Sequence, residues 1–320
     1  MDNNCLVSVI MLTYNHRPYI MEAIESILMQ KVSFKYEILI GDDCSTDGTQ
    51  DILRIYEKQY PGIIKLFLRQ ENIGATRNLF ELYTKTSGKY LATLEGDDYW
   101  TDDRKLQVQV EFLENYNEYI GCAHQFIVVD KSGNTIHKRV NWVTSREVYT
   151  YRDFDGIILP GQASTIVKRN IFLNSQYDYS IIHKADPIIG DRIINMIYLS
   201  HGDFFIIKKV MGHYRYVADK GEQNATSLVY MNKGYSCLRD YELLCKMEKY
   251  SLEVLKKRKI FRKRKYEFCL KELLKYISTN SRLHLTNFRT MIKRETLIYF
   301  FIYLPIGLLQ ILIRKFRAFL

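Results

Sequence analysis

Apolar runs alternate with helical patterns through residue 95, and this alternation limits the fold more than any other feature of the chain. Residues 6–12 (LVSVIML) read as a buried strand, 19–30 as a helix opened by Pro18, and 36–41 (YEILIG) as a second strand. A helix over 49–60 follows, with Asp47 and Gln50 spaced as a capping pair, and it ends before Pro61-Gly62. Residues 63–68 give a third strand, 77–87 a helix stopped by Gly88, and 90–95 a fourth strand. Near-continuous apolar strands of this kind need cover on both faces, which implies a parallel α/β sheet. Ligands of such sheets gather beyond the carboxyl ends of the strands. The segments TYN (13–15), DDCS (42–45) and EGDD (95–98) end strands one, two and four, so they converge on one edge. Asp42 and Asp43 each raise the cost of ionising the other, and a ligand or metal at that edge would account for the pair.

The second half changes character. A helix over 103–115 precedes IGCAHQFIVVD (120–130) and the turn KSGN, which predict a hairpin and therefore a mixed sheet. A helix at about 188–200 and short strands near 204–208 and 211–217 close the region. Residues 218–232 read as a polar linker, 233–294 as a basic helical region and 295–320 as an apolar segment.

The formal charge of +10 calls for an anionic partner: nucleic acid, an acidic membrane surface or a phosphorylated substrate. Residues 256–265 (KKRKIFRKRK) hold eight basic side chains in ten positions. Residues 296–313 are uncharged and mostly apolar, but Pro305 and Gly307 interrupt them and basic residues flank both ends. A membrane span needs about 20 apolar residues, so an interfacial or re-entrant anchor fits better, with the basic run against anionic lipid. A helix packed on its own domain is the plainer alternative. The six cysteines show no metal or disulfide spacing, and no signal peptide precedes the first strand. The expected setting is therefore the cytoplasmic face of the inner membrane, with peripheral or monotopic attachment.

In order and spacing, VSVIMLTYN, EILIGDDCSTDGT, NIGATRN and LEGDDYW resemble the nucleotide-sugar half of the inverting family-two glycosyltransferases of GT-A fold, over residues 6–217. The resemblance implies a donor half at about 1–115 and an acceptor half at about 116–217. It places Asp43 on the nucleotide base, Tyr14 against the uracil and Arg77 on the nucleotide. The structural alternatives are core packing for Tyr14, a surface ion pair for Arg77 and a helix-terminal carboxylate for Asp43. For Asp42 the structural role is preferred. Glu95 and Asp97 fall in the acidic places of the family's metal-binding DxD. Because Glu replaces the commoner first Asp, Asp97 is taken as the metal ligand and Glu95 as a donor-binding residue, with Asp98 turned away to cap the following segment.

An ion held by a carboxylate and phosphate oxygens would be Mn or Mg. By the same resemblance Asp191 is the catalytic base that receives the acceptor's proton, the alternative being an ordinary helix-start Asp. His213 and Arg215 are candidates to face the diphosphate, His183 and His201 are ordinary histidines, and 161–172 lines the acceptor side. The implied activity is inverting, metal-dependent transfer of a sugar from a nucleotide-diphosphate sugar, with UDP the expected nucleotide. The implied acceptor is a polyprenyl-diphosphate-linked saccharide of O-antigen or capsule synthesis. A catalytically inactive nucleotide-sugar binder is the rival. A basic nucleic-acid binder fits less well, since 256–265 lacks interleaved stacking aromatics.

Overall fold

The computed structural model describes residues 5–138, 140–173, 175, 177–217, 237–296 and 302. The chain divides into two compact units, residues 1–224 and 225–320. In the first, β1 (Val7–Thr13), β2 (Tyr36–Asp42), β3 (Ile64–Leu68) and β4 (Tyr90–Glu95) alternate with α1 (Ile20–Leu28), α2 (Thr49–Gln59) and α3 (Ala75–Tyr83). Then come β5 (Tyr99–Trp100), α4 (Lys105–Asn115), β6 (Tyr119–Val129), β7 (Val148–Tyr149) and a 3-10 turn at Ala163–Thr165. The unit closes with β8 (Val167–Arg169), α5 (Ile181–Lys184), α6 (Asp191–Leu199) and β9 (Asp203–Arg215).

The strand order is β3-β2-β1-β4-β8-β6-β9-β5, with β7 also on β9. The chain steps outward from β1 to β3 and then returns to place β4 on the other side of β1, so strand order reverses at the β1/β4 boundary. That switch point is where an open α/β sheet leaves a crevice for ligand. β8 runs antiparallel to β4 and β6, whereas β6 and β9 run parallel, so the sheet is mixed as expected. Thr13, Asp42, Glu95, Val129 and Arg215 consequently all end strands at one edge.

Val9, Met11, Ile38, Ile40, Ala92 and Leu94 alternate onto the face covered by α1, α2 and α4, where they meet Ile24, Leu53 and Leu106. On the other face, Gly41 lets α3 come close: a Cβ there would sit 2.6 Å from Asn78 Oδ1.

Four local expectations change. The third helix starts at Ala75 and stops at Tyr83, because Gly74 at φ 87° is free to turn the chain into it. Asp47 does accept from Thr49 N at 3.0 Å, but Gln50 turns away to Asp42 Oδ1 at 2.7 Å, so no reciprocal capping box forms. The KSGN turn folds around Asp130, yet among the described residues the returning chain makes the single bridge Val129↔Thr135, since β6 already has β8 and β9 beside it. The two short strands expected near 204–217 are one, β9, with register shifts opposite His124 and Gln125.

The second unit contains α7 (Cys237–Glu253), α8 (Arg262–Thr279) and α9 (Arg282–Ile292). Tyr241, Leu244, Met247, Phe268, Cys269 and Met291 form its apolar interior. Glu272 is buried with them, accepting from Cys237 N at 2.9 Å and lying 2.8 Å from His284 Nδ1. The basic run does not present all its charge outward. Lys265 pairs with Glu248 at 3.0 Å and Glu295 at 2.7 Å, and Arg264 with Glu267 at 2.6 Å, because α8 must bury one face. Lys256, Lys257, Arg258 and Lys263 are exposed. Among the described residues no helix is long and apolar enough to cross a membrane. The segment 297–313 lies outside them except for Ile302, as does the linker 218–232.

The tightest backbone approach lies at Gly88, where a Cβ would stand 2.5 Å from Ser8 N and 2.7 Å from the Val7 carbonyl carbon. Gly88→Ala is therefore expected to destabilise the fold by about 1–3 kcal/mol, the range for overpacking. Urea denaturation checks this, and an unchanged midpoint would contradict the packing of this turn on β1.

Candidate active site

The loops after β1 and β2 are laced together. Asn15, in the left-handed region at φ 55°, donates its N–H to Ser45 Oγ at 2.8 Å and accepts from Thr46 N at 2.9 Å. Arg17 N donates to Asp47 at 2.9 Å. Asp42 is fully buried and accepts from Ser45 N at 2.9 Å, Ser45 Oγ and Gln50 Nε2 at 2.7 Å, which gives it the structural role preferred from sequence. Tyr14 stands clear of this lacing at 47% exposure, so it is not a core residue.

Asp43 is buried at the same edge. One oxygen accepts from Ile73 N at 2.8 Å and the other from Gly74 N at 3.0 Å, joining the DD segment to NIGATRN. Burial pushes its carboxyl up, opposed by those two amides and the Arg69 charge, with Asp42 adding to the rise. Each oxygen of a carboxylate has two acceptor sites, so Asp43 retains capacity for a base N–H. Arg77 lies exposed on α3 and pairs with Glu81 at 3.2 Å, the surface ion pair held as its alternative. The cation that acts on Asp43 is Arg69, which also reaches Glu81 at 2.7 Å and Asn78 at 3.1 Å. Sequence reasoning passed over Arg69, although it directly follows the third strand at the same edge.

The turn after β4 is fixed by two residues from different parts of the chain. Asp98 is buried and turned away from the edge, as expected, but it caps no neighbouring helix. Its carboxylate accepts from Ser164 Oγ at 2.6 Å, Gln162 Nε2 at 2.7 Å and Arg215 N at 2.8 Å. Burial and the adjacent Asp97 push this carboxyl well up, against the three donors.

Arg215, 2% exposed, does not face outward toward a diphosphate. Its Nε donates to Asp97 O at 2.8 Å, one terminal nitrogen to Asp130 O at 3.2 Å and Lys131 O at 3.0 Å, and the other to Glu22 at 2.6 Å. The guanidinium also lies 4.6 Å from the Tyr19 ring centroid. The cause is plain: at the end of the last strand, its N–H groups meet three backbone carbonyls and the Glu22 carboxylate. His213 is likewise held, with Nδ1 2.7 Å from Tyr99 OH.

With Asp98 and Arg215 holding the turn, the Asp97 carboxylate accepts no hydrogen bond among the described residues, although only 7% of the residue is exposed. Glu95 sits two residues earlier, its carboxyl pushed well up by burial and by the charges of Asp97, Asp191 and Asp98. No group of three or more His, Cys, Asp or Glu among the described residues is arranged to hold a metal ion alone. An unengaged carboxylate fits an ion that brings its other oxygen ligands from a phosphate and water.

Asp191 opens α6. Gly190 stands before it with no side-chain cap; Asp191 is the acidic residue of the first turn, and among the described residues its carboxylate bonds no backbone N–H. The segment leading to it docks on α3: Thr76 Oγ1 donates to Asp186 O at 2.8 Å and Thr76 N to Pro187 O at 3.3 Å. This brings the start of α6, from the second half of the unit, against the start of α3, where Pro187 O lies beside Gly74, and Asp191 close enough to Glu95 to act on its charge. Asp191 is exposed, at the head of an otherwise buried helix, and desolvation by the packing around it pushes its carboxyl up, partly countered by Lys168 and Arg192. In the stretch 161–172, the polar residues Gln162, Ser164, Thr165 and Lys168 are buried. His183 packs on Phe80 and His201 bonds Ile197 O, as ordinary histidines would.

These strand-end carboxylates lie in a sheet that matches a known family. The Glycosyl transferase family 2 model covers residues 8–174, just over half of the chain, and the protein belongs to that family. Its fold is GT-A. The S. aureus TarS 1–349 structure in complex with UDP aligns over 82% of this chain and 69% of that one, at a TM-score of 0.56 and 16% identity. A putative teichuronic acid biosynthesis glycosyltransferase, TuaG of Bacillus subtilis, is 38% identical over 46% of this chain and 56% of its own length. Uncharacterized protein Rv1520 of Mycobacterium tuberculosis is 39% identical over 40% of this chain and 37% of that protein. The match to the mycobacterial relatives thus spans little more than a third of their length. The minor teichoic acid biosynthesis protein GgaB of B. subtilis is 27% identical over 65% of this chain and 23% of its own.

Arg215→Met removes the guanidinium donors to the carbonyls of Asp97, Asp130 and Lys131, of which Asp130 O keeps the Gly133 N–H. It should cost at least about 2 kcal/mol, since each buried acceptor left unpaired costs about 1–3. Urea denaturation and UDP calorimetry on the same variant check this, and full stability with full UDP affinity would contradict the bracing role.

Proposed function

We propose that this protein transfers a sugar, with inversion, from a UDP-sugar to a hydroxyl of a lipid-linked saccharide in the assembly of a cell-surface polysaccharide. The observation that carries the reading is a pair of acids whose carboxylates accept no hydrogen bond among the described residues: Asp97 on the β4 turn and Asp191 at the start of α6. Family membership supports a nucleotide-sugar donor, and the names of the Bacillus relatives support a surface polymer as the product.

In this reading Asp43 and Tyr14 receive the nucleotide and Arg77 swings from Glu81 toward it, while Glu95 lies on the donor side of the turn. Asp97 would hold a divalent ion, Mn or Mg. Such an ion, when bound, neutralises the charge that develops on the departing diphosphate. Asp191 takes the proton of the acceptor hydroxyl as that oxygen attacks the anomeric carbon from the side opposite the diphosphate. A carboxyl raised by its surroundings suits this task, because a stronger base is a better proton acceptor. The second unit would rest on the cytoplasmic leaflet through Lys256, Lys257, Arg258 and Lys263, with exposed Leu252 and Ile260 entering the interface.

Asp191→Asn tests the proposal. Transfer from radiolabelled UDP-sugars to lipid-linked saccharides should fall by roughly 10² to 10⁴, the contribution of a general base, while UDP affinity stays near wild type. Retention of a third or more of the wild-type rate would remove Asp191 from the chemistry. The pH dependence follows from the same carboxyl. Only its ionised form accepts a proton, so kcat/KM should fall as pH drops through a midpoint above the ordinary aspartate value near 3.9, and Asp191→Asn should lose that limb.

For the membrane, the chain should sediment with vesicles containing about a third phosphatidylglycerol and not with neutral ones. Replacing Lys256, Lys257, Arg258 and Lys263 by Gln should release it, and unchanged sedimentation would locate the attachment elsewhere.

A further inference from the structure

The first turn of α3 has N–H groups with no partner inside the helix, and Gly74, which precedes it, has no side chain to cap them. A partner comes from the chain that leads into α6. Thr76 N donates to Pro187 O at 3.3 Å, and Thr76 Oγ1 donates to Asp186 O at 2.8 Å. The methyl of the same side chain is engaged as well. A Cβ on Gly190 would stand 3.0 Å from Thr76 Cγ2, so the bare backbone at 190 lets the start of α6 close on that methyl. Thr76, itself 2% exposed, thus touches residues 186, 187 and 190, the approach to Asp191.

Asp186 fixes the shape of that approach. Its carboxylate accepts from Ile188 N at 2.8 Å and from Ile189 N at 2.7 Å, which turns the chain back toward α6. One turn further along α3, Phe80 packs on His183 with ring centroids 4.7 Å apart, so the chain before α6 is seated on α3 at two points.

On its other side the loop before α3 holds Asp43. Ile73 N and Gly74 N donate to the two carboxylate oxygens at 2.8 and 3.0 Å. A Cβ on Gly74 would lie 3.2 Å from Pro187 O, the same carbonyl that Thr76 N bonds. Hydrogen bonds and a few residues of backbone therefore join the Asp43 carboxylate, through 73–76, to the segment 186–190 that presents Asp191.

We propose that Thr76 is a positioning residue: it clamps the start of α6 to the loop that holds Asp43, so that nucleotide bound at Asp43 steadies the segment that places Asp191. The proposal rests on the readings of Asp43 as a nucleotide contact and of Asp191 as the base. A reacting group displaced by about 1 Å can cost on the order of 10²-fold in rate, so one hydroxyl at this junction carries weight far beyond its own hydrogen bond.

Hydrogen exchange over residues 186–194 of the full chain, with and without UDP, reads the clamp without any turnover. In the wild type UDP should slow exchange of the Ile188 and Ile189 amides at least roughly fivefold, the low end of coupling between sites. Thr76→Val keeps the shape and loses the hydroxyl. It should lose this protection and lower kcat for transfer at least roughly tenfold, with UDP affinity near that of the wild type. Thr76→Ser, which keeps the hydroxyl, should restore both. Wild-type exchange that ignores UDP, or protection and kcat that survive in Thr76→Val, overturns the proposal. Should Thr76→Val not fold, Gly190→Ala is measured in its place, since its methyl presses on Thr76 Cγ2 from the other side; unchanged protection and kcat there overturn the clamp. The reading of Asp191 fails separately: Asp191→Asn with full turnover would remove the base, while protection lost in Thr76→Val would still establish the clamp.

Discussion

Asp98 and Arg215 form the constraint on which the candidate site depends. They stand 117 positions apart in sequence, yet the carboxylate of one receives the backbone N–H of the other at 2.8 Å. The Arg215 side chain then returns a donor to the carbonyl of Asp97 at 2.8 Å. Gln162 and Ser164 complete the set on Asp98, so the donor strand β4, the 3-10 turn and the last strand β9 are locked by one buried carboxylate. Buried polar groups are stable only when their partners are complete, and here completeness is what divides the labour between neighbours. Asp98 is consumed by structure, and the Asp97 carboxylate is left without a hydrogen-bond partner among the described residues. The same division appears at β2, where Asp42 is consumed by Ser45 and Gln50 while Asp43 keeps capacity at the edge.

Much of this was legible in the sequence, and for identifiable reasons. Strands β1 to β4 are continuous apolar runs bounded by Pro and Gly, so local pattern alone marks them. The converging motifs follow from topology, since parallel strands put TYN, DDCS and EGDD at one edge whatever the side chains do. The expectation failed where the deciding partner was remote. Gln50 abandons its cap for Asp42, and Arg215 turns inward because carbonyls from residues 97, 130 and 131 meet it there. No local pattern encodes such a meeting. Lys168 was equally silent: in sequence it is one basic residue among many, and only the pairing of β8 with β4 and β6 reveals that it is interior.

The second unit carries its basic residues in two ways. Arg264 and Lys265 answer Glu267, Glu248 and Glu295 within the helical packing, whereas Lys256, Lys257 and Arg258 lie at the surface of the α7–α8 connection beside Ile260. A charge count over the run therefore overstates what is available to a partner, and the exposed subset is the smaller, mixed polar and apolar patch suited to an interface.

The central claim is that the Asp98–Arg215 brace frees Asp97 to hold a divalent ion against the diphosphate of a nucleotide. Calorimetric titration with UDP, in Mn²⁺ and again in EDTA, on wild type and Asp97→Asn, measures this most directly. The account predicts that Mn²⁺ tightens UDP binding to the wild type, and that Asp97→Asn loses this gain while its affinity in EDTA remains that of the wild type. An equal gain from Mn²⁺ in both proteins would contradict it.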